Sequence, residues 1–267
     1  MTTPIDPTLT QFEGIHPLPT EDDLPFEDGR VHNFDEHPQS ILLTEGAWDM
    51  LQSIHPDGKF LIGQDSGIYY RVERPIETSR CVAPDWYYVP GVPQANDRGR
   101  NRKSYLMWEH QRSPLIVVEY TSNGGAEERD ATPETGKFWI YEQILKPTYY
   151  AIFVPDPAQV EVYHLTATGF EPVRPNEAGR YPVPPMRMEL GLWRGSVLGV
   201  EQEWLRWWTP NGELIPTGKE FGEQERRRAD EERRIATEER RRADAATTEA
   251  ERLRVKLRAA GIDPDTI

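Results

Sequence analysis

Apolar positions along the chain follow two rhythms, one of period two or unbroken and one of helical spacing. Leu115-Ile116-Val117-Val118-Glu119-Tyr120-Thr121-Ser122 is a nearly continuous apolar run with two adjacent valines, closed by Asn123-Gly124-Gly125. Such a run bounded by a turn signal predicts a strand buried on both faces of a sheet. Lys59 to Ile62, Ile68 to Glu73 and Trp86 to Val89 predict three further strands in succession, and Tyr105 to Trp108 is a candidate for another. Tyr149 to Val154 repeats the buried pattern, while Glu161 to Leu165 alternates and has a prospective partner in Gly169 to Val173. Helical spacing at Ala47, Trp48, Leu51 and Ile54, behind Thr44 as N-cap, predicts a short helix before the sheet. A second helix is expected from Pro133 to Leu145, with Thr132 as N-cap and Pro133 at its first position. Strand, helix, strand is the order of a parallel crossover, here joined to antiparallel hairpins. The expectation is a mixed α/β sheet flanked by helices. Trp204, Trp207 and Trp208 close that part of the chain and read as a lid on the core rather than a platform for bases.

From Gly218 the rhythm changes. Arg226-Arg227-Arg228-Ala229-Asp230 returns fourteen residues later at Arg240 to Asp244, and Ala229, Ala236, Ala243, Ala250 and Leu257 recur every seven. With Glu223 to Arg227 and Glu238 to Arg242 at helical spacing, this predicts a charged helix of about forty residues. A solitary helix and a weak coiled coil that makes a homo-oligomer remain equal alternatives, because several seam positions are polar. Residues 1–40 hold six prolines and nine acids against Arg30 alone and predict an extended acidic arm. The expected organisation is therefore an arm over 1–40, a globular domain over 41–217 and a charged helix over 218–267.

Composition narrows the function. The net charge of −14 disfavours nonspecific binding of polyanions, but much of the surplus lies in the arm, so it says little about the middle of the chain. The connection from Gly91 to Arg112 carries Arg98, Arg100, Arg102, Lys103 and Arg112; a solvated loop is the first reading and a phosphate-contacting loop the second. Cys81 is the only cysteine, which excludes an internal disulfide framework, and His16, His32 and His37 lack the spacing of a metal site. No apolar run approaches the length of a membrane span, and a cytoplasmic protein is expected. Nucleotide-binding glycine motifs, a Gly-x-Ser-x-Gly elbow and a His-Glu-x-x-His helix are all missing.

Glu119 is the chemical anomaly, since a carboxylate inside a buried strand requires a cation, a metal or a donor network. Asp85, in Ala83-Pro84-Asp85 at the start of a predicted strand, is its natural companion. Two carboxylates at the ends of neighbouring strands can hold Mg²⁺ for phosphodiester cleavage. Along the predicted strand Leu115, Val117, Glu119 and Thr121 share a face, so the residue two after Glu119 points into the same site. Many nucleases have a lysine there, and here it is Thr121. Lys137, early in the next predicted helix, could reach the strand ends instead.

Pro84-Asp85, Val118 to Ser122, Glu128-Arg129-Asp130, Gly136 to Tyr141 and Val160 to Tyr163 together resemble the Uma-two family of restriction-endonuclease-like proteins, in the PD-(D/E)XK nuclease superfamily. The resemblance runs from about Ile41 to Trp208. It implies a restriction-endonuclease-like core in α-β-β-β-α-β order, dependence on Mg²⁺ (or Mn²⁺) and a DNA substrate. Asp85 and Glu119 would be the metal ligands, Lys137 the displaced lysine and Asp130 a partner behind it. The competing expectation is a nuclease-derived platform without catalysis, acting through its C-terminal helix.

Overall fold

The computed structural model describes residue 18 and residues 36–121 and 124–260, so the expected acidic arm falls outside the described residues at 1–17 and 19–35, with its cluster Glu21-Asp22-Asp23, His16 and His32, as does the Ser122-Asn123 step of the predicted turn, whereas its last residues, 36–40, are helical and not extended. The described chain divides between Ile215 and Pro216 into two compact units.

The first unit is a mixed α/β fold around a six-stranded sheet. Its strands are β1 (Phe60–Gly63), β4 (Trp86–Pro90), β6 (Ile116–Tyr120), β7 (Tyr149–Pro155), β8 (Ala158–Thr166) and β9 (Gly169–Pro172), adjacent in that order. β6 and β7 pair in parallel, as the crossover pattern predicts, and the remaining neighbours are antiparallel. Between β1 and β4 the chain detours. β2 (Ile68–Arg71) leaves the main sheet and forms a small one with β3 (Arg80–Val82) and β5 (Tyr105–Leu106). The three predicted strands are thus all present but do not lie side by side. The expected strand at 105–108 stops after two residues, and Met107–His110 continues as the single turn α2.

The helix α1 (Glu36–Ile54) starts earlier than the periodicity suggests. Its first turns bury Gln39 and Ser40, polar residues that conceal the apolar stripe; the Gln39 amide is clamped on Leu205, donating to its carbonyl at 2.7 Å and accepting its N–H at 2.9 Å. Thr44 is therefore interior to α1 and caps nothing. Its hydroxyl oxygen instead accepts from the Trp86 indole at 2.9 Å.

One face of the sheet, with Trp86, Ile116, Val118 and Phe153, packs on Leu43, Ala47 and Leu51 of α1 and on Leu205 and Trp207. The latter belong to a three-stranded sheet of β10 (Tyr181–Val183), β11 (Met188–Val197) and β12 (Val200–Trp208), so the expected tryptophan lid is a strand. The opposite face, with Tyr87, Val117, Tyr150 and Ile152, packs on α3, an α-turn at Lys137–Trp139 that runs into a π-helical segment at Ile140–Leu145. Of Phe138, Tyr141 and Leu145, which by spacing would mark the sheet-facing side, Tyr141 and Leu145 are buried together with Ile140 and Ile144, and Phe138 is partly buried against the same cluster.

The second unit contains α4 (Gly218–Ala259), 42 residues long with none buried. Thr217 and Glu220 form a reciprocal capping box at its start. Among the described residues no helix is long and apolar enough to cross a membrane.

Candidate active site

The site is assembled at the end of the sheet where β4 begins and β6 finishes. Asp85 immediately precedes β4, and antiparallel pairing of Trp86 with Val118 sets it beside the last residues of β6. Its carboxylate accepts the Tyr120 N–H at 2.5 Å, which locks the side chain against the strand. Glu119 is 1 % exposed and faces α3, on the same side as Val117. Leu115, expected on that face, packs on the other because the strand begins only at Ile116.

Around the buried Glu119 three groups answer its charge. The Tyr141 hydroxyl, buried on α3, donates to Oε1. The Lys137 Nζ lies 3.5 Å from Oε2. The Asp85 carboxyl stands close enough to the Glu119 carboxyl to act on its protonation, and two such groups side by side favour one shared proton or, in its place, a cation. Burial pushes the Glu119 carboxyl above its usual range, and Lys137, Tyr141 and Asp85 only partly offset this. Tyr141 is itself held well above the ordinary phenol value by burial and by Glu119, so it remains a donor.

Lys137 is held by more than Glu119. Its Nζ is 3.4 Å from Glu128 and 3.8 Å from Glu127. Burial alone would pull the ammonium down, but the Glu119, Glu128 and Glu127 carboxylates outweigh it and the net direction is upward. The group is a fixed cation, with no capacity to act as a base near neutral pH.

Position 137 is reached by a different route from the one expected. Asp130 accepts both the N–H and the hydroxyl of Thr132, at 2.8 and 2.6 Å, so Thr132 does not cap a helix, and Glu134 has a left-handed backbone with φ 68°. No helix can run through that turn, and α3 starts at Lys137 instead of Pro133. Gly136 makes this possible: a Cβ there would stand 2.2 Å from the Asp130 carbonyl oxygen. Asp130 is exposed and faces its own turn, which removes it as the partner behind Lys137. Glu128 takes that place. The Tyr150 hydroxyl donates to its carbonyl at 2.9 Å, and neighbouring Arg129 makes a two-pronged pair with Glu161 of β8, at 3.1 and 2.6 Å. The spacing of an acid nine residues before Lys137 offered no signal that would single Glu128 out from Glu127 or Asp130.

Thr121 lies just past β6 and donates its N–H to Phe153 at 2.9 Å. Its hydroxyl is buried and has no protein partner. The structure thus brings Asp85, Glu119 and Lys137 into mutual reach, with Tyr141 and Glu128 around them and one unsatisfied hydroxyl beside them. Among the described residues no group of three or more His, Cys, Asp or Glu side chains gathers as a closed metal cage. The oxygen donors of Asp85 and Glu119 suit a hard divalent ion that keeps several water ligands.

No match is found among curated proteins. The family model described as "Putative restriction endonuclease" matches residues 31–203, a span that holds every side chain of this constellation, and the chain belongs to that family, Uma2.

Proposed function

We propose that the protein is a Mg²⁺-dependent DNA endonuclease, with Mn²⁺ as an effective substitute, in which Asp85 and Glu119 hold the ion and Lys137 stabilises charge on the phosphate. The reading is carried by one observation: the Asp85 carboxylate, held by the Tyr120 N–H, stands beside the buried Glu119 of the neighbouring strand, whose carboxylate has a lysine ammonium 3.5 Å away. When bound, a divalent ion supplies charge neutralisation for the attacking and leaving oxygens of a phosphodiester. The remaining work belongs to the chain. Tyr120 N–H and Tyr141 fix the two carboxyl groups before substrate arrives, so little reorganisation is needed at the moment of reaction. Lys137, permanently charged, faces the negative charge that builds on the phosphoryl oxygens; Glu128 holds it in place. The unsatisfied Thr121 hydroxyl is a fitting anchor for a water molecule at the spot where many related nucleases have a lysine.

Supercoiled plasmid provides the test. With Mg²⁺ or Mn²⁺ the protein nicks it, Asp85→Ala abolishes nicking, and Lys137→Ala slows it by roughly 10²–10³, the usual loss for one charge-stabilising donor. Nicking that persists in Asp85→Ala identifies a contaminant. Intact plasmid with the parent protein in both metals removes the enzyme reading and leaves a nuclease-derived binding protein.

A further inference from the structure

At the free edge of β1 lies a pocket of about 330 Å³. Its walls are Thr44 and Trp48 of α1, β1 with the turn that follows, Tyr87 of β4, and the connection running from Gln94 to Ser104. The edge of β1 does not stay open as a strand template: the Gln94 amide accepts the Ile62 N–H at 2.9 Å and donates to its carbonyl at 3.1 Å. Gly63 leaves room for the Tyr87 ring, since a Cβ there would fall 2.0 Å from Cζ, and the Tyr87 hydroxyl meets Ser66 at 3.0 Å.

We propose that this pocket receives the nucleotide next to the scissile phosphate of a DNA strand. The base would lie against Trp48, its polar edge would meet Gln64, Asn101 and Ser104, and its phosphate would be drawn by Arg102. The inference rests on the nuclease reading of the adjoining site and adds to it the place where substrate is gripped.

Four observations support it. The pocket borders the catalytic end of the sheet: Gln64 and Ser66 line it, and Asp65 between them donates its N–H to the Asp85 carbonyl at 3.2 Å. In a chain of net charge −14 the pocket is lined by an arginine and by no acid. The Arg102 guanidinium is tethered to the Pro93 carbonyl at 3.3 Å and to Glu109 at 3.2 Å, which fixes it in the pocket wall with 6 % of its side chain exposed. Finally, Ser104 is a residue of the pocket wall, and its hydroxyl, buried just behind the pocket surface, lacks a protein partner, a condition that buried polar groups rarely keep. Trp48, 38 % exposed, provides the aromatic face on which a base of any sequence can stack. The volume lies at the small end of ligand sites and suits one nucleotide. Outside the pocket the same connection turns at Asn96, whose side chain accepts the N–H groups of Arg98 and Arg100, and this presents two exposed arginines to a continuing backbone.

The test uses the full chain in Ca²⁺, which suppresses cleavage, with two probes. Ligand-observed NMR with dAMP, dCMP, dGMP and dTMP reads the pocket alone, and fluorescence anisotropy with a short single-stranded DNA reads the strand. Saturation transfer to the mononucleotides is expected, diminished in both Trp48→Ala and Ser104→Ala, with oligonucleotide affinity falling roughly tenfold in Trp48→Ala. Trp48 also contacts Phe60 edge-on, so Ser104→Ala, which removes only an unsatisfied hydroxyl, serves where Trp48→Ala melts early. No transfer to any mononucleotide, or transfer equal to the parent in both variants, overturns the assignment. Tighter binding of the matching RNA overturns the choice of DNA. The two readings fail separately: plasmid nicking with unchanged binding in the variants removes the pocket and keeps the nuclease, whereas mononucleotide binding through Trp48 without nicking does the reverse.

Discussion

Glu119 shows how a single residue can announce a site and still not reveal how it is built. Its position inside an apolar strand is visible in the sequence because the cost of burying a carboxylate is so large. The same residue makes a linkage prediction. Burial keeps its proton on to higher pH than in the unfolded chain, so the metal-free fold gains stability in acid and loses it as pH rises through the raised value. A divalent ion replaces the proton and reverses the direction. Glu119→Gln should therefore leave the metal-free protein as stable as the parent or slightly more so near neutral pH. It should also abolish the rise in melting temperature with Mg²⁺, a stabilisation of about 2.7 kcal/mol at an ion concentration a hundredfold above Kd. Nicking by the parent should fall away on acidification in the same range in which Mn²⁺ binding, followed by titration calorimetry, weakens. Lys137 adds no alkaline limb near neutrality, since its acidic neighbours keep it charged. Equal metal-induced stabilisation in Glu119→Gln and parent would remove Glu119 as a ligand. Tyr141 is legible only as a core residue of a helix and Glu128 only as part of the Glu128-Arg129-Asp130 motif, because their roles depend on which groups the loop from 124 to 136 folds against.

At the level of elements, the sequence reports apolar faces well and chain reversals poorly. The stripe at Ile140, Tyr141, Ile144 and Leu145 fits an α-helix as readily as the π-helical segment that forms, and the pattern from Ile68 to Glu73 says strand without saying which sheet. α3 starts later than the sequence predicts, at Lys137, although Thr132-Pro133-Glu134 is a sound helix opening by local rules. The contacts that override it, Asp130 to Thr132 and the left-handed Glu134, come from the packing of the loop on itself. Gly136 is the hinge of that packing, and Gly136→Ala tests it. A methyl 2.2 Å from the Asp130 carbonyl has no flexible neighbour to displace, so the loop must shift. A loss of roughly 2 kcal/mol in denaturant unfolding is expected, typical of overpacking against backbone. Since α3 begins at the next residue, Lys137 should leave its three carboxylates and nicking should drop about as far as in Lys137→Ala. A variant with parental stability and activity would show that the loop can absorb the methyl, and Gly136 would lose its place as the reason Lys137 stands where it does.

For the molecule as a whole, the composition change at Gly218 coincides with a physical one: the apolar clusters are built from residues up to Ile215, and α4 buries none of its own. Its exposed face carries ion pairs such as Arg228 with Glu225, Arg234 with Glu231 and Arg242 with Glu238, three or four residues apart, which favour the helix locally. The heptad alanines bury little surface each. At about 25 cal/mol per Å² they drive association far less than a leucine seam would, so Leu253 and Leu257, near the end of α4, should dominate any pairing of two copies. Truncation after Thr217 is thus expected to leave the melting temperature of the remaining chain within a few degrees of the parent and to preserve plasmid nicking. Any concentration-dependent dimer seen by sedimentation velocity in the parent should vanish, and Leu253→Glu with Leu257→Glu in the full chain should remove it equally well. Failure of the truncated chain to fold would mean that α4 supports the sheet domain directly. A dimer that survives truncation would place the self-association surface before residue 217 instead, on the sheet domain, and α4 would then have to be explained by a partner other than a second copy of itself.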